Sequence, residues 1–382
     1  MKVVFISQRL GDNICSKIHL KAFETIVSKE DLLIIDLNHL EKKRTEDNRV
    51  FFGGFEKREK IEWLFQQTTW FLTNERINQI CQYIKNFNAE IVFVDDACLG
   101  KLVKTIKGRF PKIKVITFYH DIIADLYRQN DRKQDWKFKV LMYYAALKGE
   151  NYSQKYSDKN MVLNERDNKL YQKYYGKKAD GFLTMAVAEP ELDSMNAVEL
   201  DFELIWKQNK KVILFVGALY KPNLDGLRWF VDNVFQKLSN EYFLLVIGRK
   251  LETMKDNYKN IQNMMIIGGV DKLAPYYNNA DIVIAPIFSG GGMKQKTAEA
   301  FAYGRTFIGT TESLQGYESE LNLEDNHYRI VFSCDTPEGQ LEAFEYIERN
   351  KAYGFHQQLN KAYNEKYSVK AIERSIRKLL ED

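Results

Sequence analysis

The sequence predicts an α/β protein built from two doubly wound domains. Three observations lead there. Short β-branched runs alternate with helical patterns along most of the chain, which implies parallel strands with helices on both sheet faces. The alternation lapses once, at Glu189–Trp206, where periodicity is weak and acids are frequent, and then restarts. The length, 382 residues, suits two domains at roughly 150 residues each.

In the first half, Val3–Ser7 reads as a strand, and Asn13–Ser28 as a helix with Ile18, Ala22, Phe23 and Ile26 on one face. Leu32–Leu37 is a second strand. Asn38–Phe55 is charged, glycine-containing and irregular. Helical patterns run over Glu56–Gln67 and Asn74–Asn86. Ile91–Val94 is a strand ending in Asp95-Asp96, and Val115–Phe118 a strand ending in Tyr119-His120-Asp121. A long helix covers Asp135–Tyr156. Met161–Leu163, Glu165–Tyr175 and Gly181–Ala188 read as strand, helix and strand-like run.

In the second half, Lys211–Val216 is a strand, Gly217–Asn223 a loop and Asn223–Leu238 a helix. Phe243–Ile247 is closed by Gly248-Arg249-Lys250, and Met264–Ile267 by Gly268-Gly269. Asp271 reads as the N-cap of a helix over Lys272–Asn278. Thr306–Gly309 and Tyr328–Phe332 are strands, and the chain is helical from about Pro337. The expected division is 1–190, 191–365 and a last helix, 366–382, packing back on the first domain.

The most informative stretch is Ala280–Gly304, ADIVIAPIFSGGGMKQKTAEAFAYG. Ile282–Ala285 is a buried parallel strand. Pro286–Gly292 is a loop ending in three glycines, Met293–Tyr303 a helix, and Gly304 lies just past its end. A strand, a glycine loop and a helix start present bare N–H groups and a positive helix end to an anion. Lys294 and Lys296 stand in the first turn, where the macrodipole disfavours cations, so a charged ligand accounts for them. Glu299 can accept hydrogen bonds from sugar hydroxyls. These features indicate a nucleotide-diphosphate site with a ribose anchor. Ligands of open α/β sheets bind at the carboxyl ends of strands, so two such edges facing each other make an interdomain cleft.

Composition narrows the class. An apolar share of 45% and a charged share of 28% suit a soluble protein with real cores. No run of about 18 apolar residues marks a membrane span, and Met1–Ser7 turns polar too soon for a signal peptide. Cys15, Cys81, Cys98 and Cys334 are scattered, as reduced cytoplasmic thiols are. The five histidines show no ligand spacing, so no metal is expected. Residues 1–190 hold 33 Lys+Arg against 25 Asp+Glu, which points to an anionic partner. No nucleic-acid motif accompanies that charge. Lys101, Lys104, Lys107, Arg109, Lys112 and Lys114 cluster, and Tyr127–Lys139 mixes basic residues with Trp136 and Phe138, as segments at the inner face of an anionic membrane do.

Phe215–Phe230, FVGALYKPNLDGLRWF, then Leu245–Arg249 and Ala280–Gly316 resemble the nucleotide-binding domain of GT-B glycosyltransferases of the family 4 type, glycosyl transferases group 1. The resemblance is good over about 211–316 and weak over the first half. It implies two Rossmann-like domains facing across a cleft and a nucleotide sugar, UDP- or GDP-linked, as substrate with no cofactor. By that resemblance Glu299 binds the ribose, Lys296 and Arg249 hold the diphosphate, and the Val270 backbone lies near the base. Gly11 approaches the donor phosphates and His120 contacts the transferred sugar. Many members carry a second glutamate eight positions before the first. Here that position is Gly291, so amides of Gly290, Gly291 and Gly292, with Gly217, Met293 and Lys294, face the donor. Transfer is retaining and metal-independent, with His120, Lys296 and Arg249 as the catalytic set. Asp95, Asp96 and Asp121 are acceptor candidates, Asp95-Asp96 serving otherwise as a turn or helix cap. The expected acceptor is a glycan or a lipid-diphosphate-linked glycan in surface polysaccharide synthesis. The competing readings are a non-catalytic nucleotide-sugar-binding scaffold and a sugar-nucleotide epimerase of the same fold.

Overall fold

A computed structural model describes residues 1–11, 13–38, 40–54, 72–129, 136–192 and 210–381. The helical pattern at Glu56–Gln67 and most of Glu189–Trp206 lie outside the described residues. The chain divides into two compact units, Met1–Thr184 with Ile372–Asp382, and Met185–Ala371.

The first unit holds an eight-stranded sheet: β1 (Val3–Ser7), β2 (Leu32–Asp36), β3 (Arg44–Glu46), β4 (Arg49–Phe51), β5 (Ile91–Val94), β6 (Lys114–Tyr119), β7 (Lys159–Val162) and β8 (Gly181–Phe182). Their order is β3-β4-β2-β1-β5-β6-β7-β8. All neighbours are parallel except the β3–β4 hairpin. Every residue of β1, β2 and β5 is buried, as strands covered on both faces must be. The order of winding reverses beside β1: Val3 pairs Leu32 on one side and Ile91 on the other. The loops after β1 and β5 therefore lie side by side.

Helix boundaries follow local chemistry. Asn13 caps α1 (Ile14–Ile26), accepting from the Ser16 N–H. Thr73 caps α2 (Asn74–Phe87), which ends at a left-handed Asn88. Then come α3 (Gly100–Arg109), α4 (Ile123–Gln129), α5 (Trp136–Tyr156) and α6 (Glu165–Tyr175). Two expectations change here. The irregular stretch Asn38–Phe55 contains the β3–β4 hairpin. The run Gly181–Ala188 is a strand only over β8; beyond it, Val187 makes a single isolated parallel bridge with Ser368, and Leu183, Ala186 and Val187 are buried. Their apolar character reflects packing more than strand pairing.

The second unit is a six-stranded parallel sheet of β9 (Lys211–Val216), β10 (Tyr242–Ile247), β11 (Met264–Ile267), β12 (Ile282–Ala285), β13 (Thr306–Gly309) and β16 (Val331–Ser333), in the order β11-β10-β9-β12-β13-β16. A two-stranded hairpin, β14 (Glu324–Asp325) and β15 (Tyr328–Arg329), stands apart. The expected strand Tyr328–Phe332 is thus two pieces in two sheets. The helices are α7 (Lys221–Asn233), α8 (Ala274–Asn279), α9 (Gln295–Ala302), α10 (Pro337–Asn350), α11 (Gln357–Lys366) and α12 (Val369–Glu381). α7 starts at Lys221, with Pro222 in its first turn, and stops at Asn233 before a 3-10 turn. Asp271 is not an N-cap: α8 begins after Leu273, with no side-chain cap. α9 starts at Gln295, so Lys294 is its N-cap residue. Gly304 follows its end with φ of +61°, the left-handed turn that glycine adopts at least cost.

The crossover of the second sheet lies between β9 and β12, and α7 fits tightly against it. A Cβ on Gly226 would clash with the Pro286 carbonyl oxygen just after β12. Gly226→Ala therefore tests the packing by its sign. Helix propensity alone favours alanine by about 1 kcal/mol, but overpacking of this kind costs about 1–3 kcal/mol. Urea unfolding should show a net loss of stability; a gain would mean that helix and loop are not in close contact.

Candidate functional site

The second unit brings most of its sequence-predicted residues to the carboxyl edge of the sheet at this crossover. Gly217 follows β9. A Cβ there would press on the Asn223 amide, which donates to the Ala218 carbonyl at 2.9 Å. The other end of that amide, Oδ1, accepts from Lys296 Nζ at 2.8 Å. Asn223 thus ties the loop after β9 to the helix after β12. Lys296 Nζ also lies 4.5 Å from the centre of the Phe215 ring. Burial pulls the Lys296 ammonium down to about 7, with Glu299 opposing and Lys294 adding to the shift.

Glu299 sits one turn on, held at both oxygens. Oε2 accepts from the Tyr277 hydroxyl at 2.8 Å, and Oε1 from Gln295 Nε2 at 2.8 Å. Tyr277 is itself stacked on Tyr303, with centroids 4.9 Å apart and an interplanar angle of 3°. Burial pushes the Glu299 carboxyl above its ordinary value, against those two hydrogen bonds and the Lys296 charge. Each oxygen uses one acceptor position on protein, which leaves capacity for a vicinal diol.

Lys294 behaves differently from Lys296. Its Nζ pairs with Glu312 at 2.7 Å and donates to the carbonyls of Gly291 and Gly292 at 3.2 and 3.1 Å. Its own carbonyl accepts from the Tyr317 hydroxyl at 3.0 Å. The charge expected to meet a ligand is spent on folding the loop. Gly290 and Gly292 have φ of +138° and +62°, conformations that side chains resist. With two loop carbonyls turned to Lys294, the N–H groups of Gly290, Gly291, Gly292 and Met293 bond no protein acceptor among the described residues. Met293 is buried, its side chain against Gly316. Arg249, after β10, is exposed, with its stem along Gly269 and no ion pair among the described residues. Val270, after β11, is half-buried. Neither shares a hydrogen bond or ion pair with Lys296 or Glu299 among the described residues.

In the first unit, Gly11 is exposed, and a Cβ there would collide with the buried Asn38 side chain. His120 is buried at the end of β6, and Asp121 beside it is half-buried. Asp95 and Asp96 are not open to a ligand as the sequence suggested. Asp96 is buried and caps the 3-10 turn Ala97–Leu99 through the Cys98 N–H at 2.9 Å, while receiving Gln8 Nε2 at 2.8 Å and Arg9 Nε at 2.6 Å. Asp95 is wholly buried among internal donors. The turn-and-cap alternative describes Asp96. Sequence reading missed Asn223, Tyr277 and Gln295. Only Gln295 carried a signal, its spacing of four from Glu299.

Residues 210–346 match the family model described as glycosyl transferases group 1. Among solved structures the chain is similar to sucrose-phosphate synthase of Thermosynechococcus elongatus, with 13% identity, a TM-score of 0.69, and coverage of 100% of this chain and 98% of that one. It is also similar to Anabaena HepE in complex with UDP, at 9% identity and TM-score 0.67, covering 100% of both chains. A third is the lipopolysaccharide outer core galactosyltransferase WaaB, at 14% identity and TM-score 0.66, covering 99% and 98%. No curated protein matches the chain in sequence. These solved structures share the chain's fold, that of GT-B glycosyltransferases, and the match to the group 1 family model lies within the second unit.

The Lys296 environment yields a prediction about pH. The folded ammonium loses its proton near 7, whereas the unfolded one keeps it to about 10.4. Between those values the unfolded state binds more protons, so stability rises with pH. Thermal melts of wild type and Lys296→Met at pH 6.5 and pH 9.5 should show wild type gaining on the variant by about 3 kcal/mol. A constant difference would mean that the ammonium is not desolvated.

Proposed function

We propose that this protein is a group 1 glycosyltransferase, which holds a nucleotide-diphosphate sugar at the β9–β12 crossover of its second unit and passes a hexose-type sugar to a glycan or lipid-diphosphate-linked acceptor. The observation that carries this reading is the set of amides at Gly290–Met293 without a protein acceptor among the described residues, with Lys296 in the first turn of the helix that follows and the doubly held Glu299 carboxylate one turn on. Unused N–H groups at a helix start suit a diphosphate, and a fixed carboxylate with free acceptor capacity suits a ribose diol. HepE forms a complex with UDP, which favours UDP as the first nucleotide to test; GDP is the second.

In the transfer step the bond from the sugar's anomeric carbon to the diphosphate oxygen breaks, and the acceptor hydroxyl oxygen bonds that carbon. Negative charge grows on the departing phosphate, and preorganised donors there lower the barrier. Lys296, Arg249 and the glycine amides fill that role without a metal. The diphosphate takes the acceptor proton, and retention follows from attack on the leaving-group face. Gly217 and Gly11 admit the donor backbone-close, the Val270 backbone lines the base, His120 bonds the transferred sugar, and Asp121 the acceptor. Surface polysaccharide synthesis is the setting in which such an acceptor occurs.

A membrane-side partner is part of the proposal. Among the described residues no helix is long and apolar enough to cross a bilayer. α5, however, leaves Trp136, Phe138, Val140, Leu141 and Tyr144 exposed. Lys137 and Lys148 flank them, and the only acid on the helix, Glu150, is buried. Apolar and cationic residues on one exposed face suit the inner, anionic face of a cell membrane.

Thermal shifts with UDP, GDP, ADP and CMP, with and without Mg²⁺, test the donor site. A nucleotide at 100 times its dissociation constant adds about 2.7 kcal/mol of apparent stability. One nucleoside diphosphate should stabilise wild type, without need of Mg²⁺, and leave Glu299→Ala unmoved. Absence of any shift in a folded protein would favour a scaffold, and binding without slow donor hydrolysis would remove the transfer step. For the membrane, wild type should float with anionic but not neutral vesicles, and Trp136→Ala with Leu141→Ser should weaken flotation at least about tenfold. Equal flotation of variant and wild type would clear α5 of that role.

A further inference from the structure

A single carboxylate organises a buried polar cluster in the first unit. Asp95 Oδ2 accepts from the Ser7 hydroxyl at 3.1 Å and lies 3.3 Å from His120 Nε2. Oδ1 is 2.8 Å from His19 Nδ1. His120 Nε2 is also 3.0 Å from the Asp95 carbonyl oxygen and 3.2 Å from the Ser16 hydroxyl. Phe118 packs edge-on against both imidazoles, with centroids 4.7 Å from His120 and 4.6 Å from His19. Both rings are therefore fixed in rotation as well as in place.

The geometry decides which His120 nitrogen carries the proton. The Asp95 carbonyl and carboxylate oxygens only accept hydrogen bonds. A nitrogen lone pair aimed at both would be repelled, whereas an N–H is attracted. Asp95 remains ionised: burial alone would raise its carboxyl, but His120 and His19 outweigh burial and hold it far below the ordinary range. His19, although burial works against its charge, is raised to about 9 by Cys15 and Asp95. It stays cationic at neutral pH and compensates the buried carboxylate.

We propose that Asp95 is a positioning residue, which locks His120 as the Nε2–H tautomer and leaves Nδ1 as the atom offered to the sugar. This rests on the reading that His120 contacts the transferred sugar. An imidazole in this state accepts a hydrogen bond from a sugar hydroxyl at Nδ1. The opposite tautomer would present an N–H there and lose that contact. Ser7, Ser16 and His19 complete the frame, so a tautomer change requires the whole cluster to rearrange.

The test combines a spectrum with kinetics. In ¹⁵N-histidine-labelled full-length protein, the His120 signals, assigned by their loss in His120→Ala, should show a protonated Nε2 and an unprotonated Nδ1. The reverse pattern in wild type overturns the proposal. Asp95→Asn should mix the tautomers and lower kcat for UDP release from UDP-glucose by about 10–100-fold, the range typical for groups that orient a ligand-contacting histidine, with KM little changed. An unchanged tautomer and unchanged kcat overturn it. Should Asp95→Asn not fold, Ser16→Ala replaces it in the kinetic arm, and the wild-type spectrum already decides the tautomer. If His120→Ala leaves UDP release unaltered while the spectrum is as expected, the failure lies in the role given to His120 and the catalytic half of the proposal falls with it.

Discussion

The hydrogen bond between Lys296 and Asn223 is the contact on which the second unit's site depends. It joins the first turn of α7, the helix that follows β9, to the first turn of the helix that follows β12. Those strands are neighbours, although the chain makes two further strands before returning to the second. Each loop is set by its own strand, so this one bond ties the helices that follow the two strands to each other. The cost is a cation drawn out of water over an aromatic ring, which its lowered proton affinity records. Strain of that sort is the ordinary condition of groups poised for an anion.

The two lysines of the loop show how similar residues divide labour. Lys294, at the N-cap, is neutralised by Glu312 and clamps the carbonyls of Gly291 and Gly292. Lys296, two residues later, has no carboxylate within ion-pair distance among the described residues. One therefore folds the loop, and the other is left without a carboxylate to neutralise it. Turning the carbonyls inward is what turns the amides outward, so Lys294 acts on any ligand through the backbone rather than through its own ammonium.

The fold was legible because parallel strands buried on both faces are nearly all apolar, and β1, β5, β9 and β12 read that way in the sequence. The glycine loop, Lys296 and Glu299 were legible for the same reason: they sit at fixed offsets from such a strand. Three kinds of feature were not. Pairing cannot be told from packing in short apolar runs, which is why Gly181–Ala188 looked longer than β8. Long-range side-chain partners leave no local mark, so Tyr277 and Asn223 went unnoticed as the groups that hold Glu299 and Lys296. Burial reverses the meaning of a polar pair: Asp95-Asp96 looks like a ligand-binding dyad, and the fold has used both carboxylates internally.

The small β3–β4 hairpin, unforeseen in the sequence, ends the first sheet at one side, and the two-residue β8 ends it at the other. The outermost strand, β3, is three residues long and carries Arg44 and Glu46, with the Arg44 guanidinium 3.7 Å from the centre of the Phe51 ring. A parallel sheet of this width exposes unpaired backbone only at its two rims, and both rims are too short, or too charged, to recruit a strand from another molecule. The hairpin thus shields its own rim of the first sheet from strand pairing with another molecule, without lengthening the core.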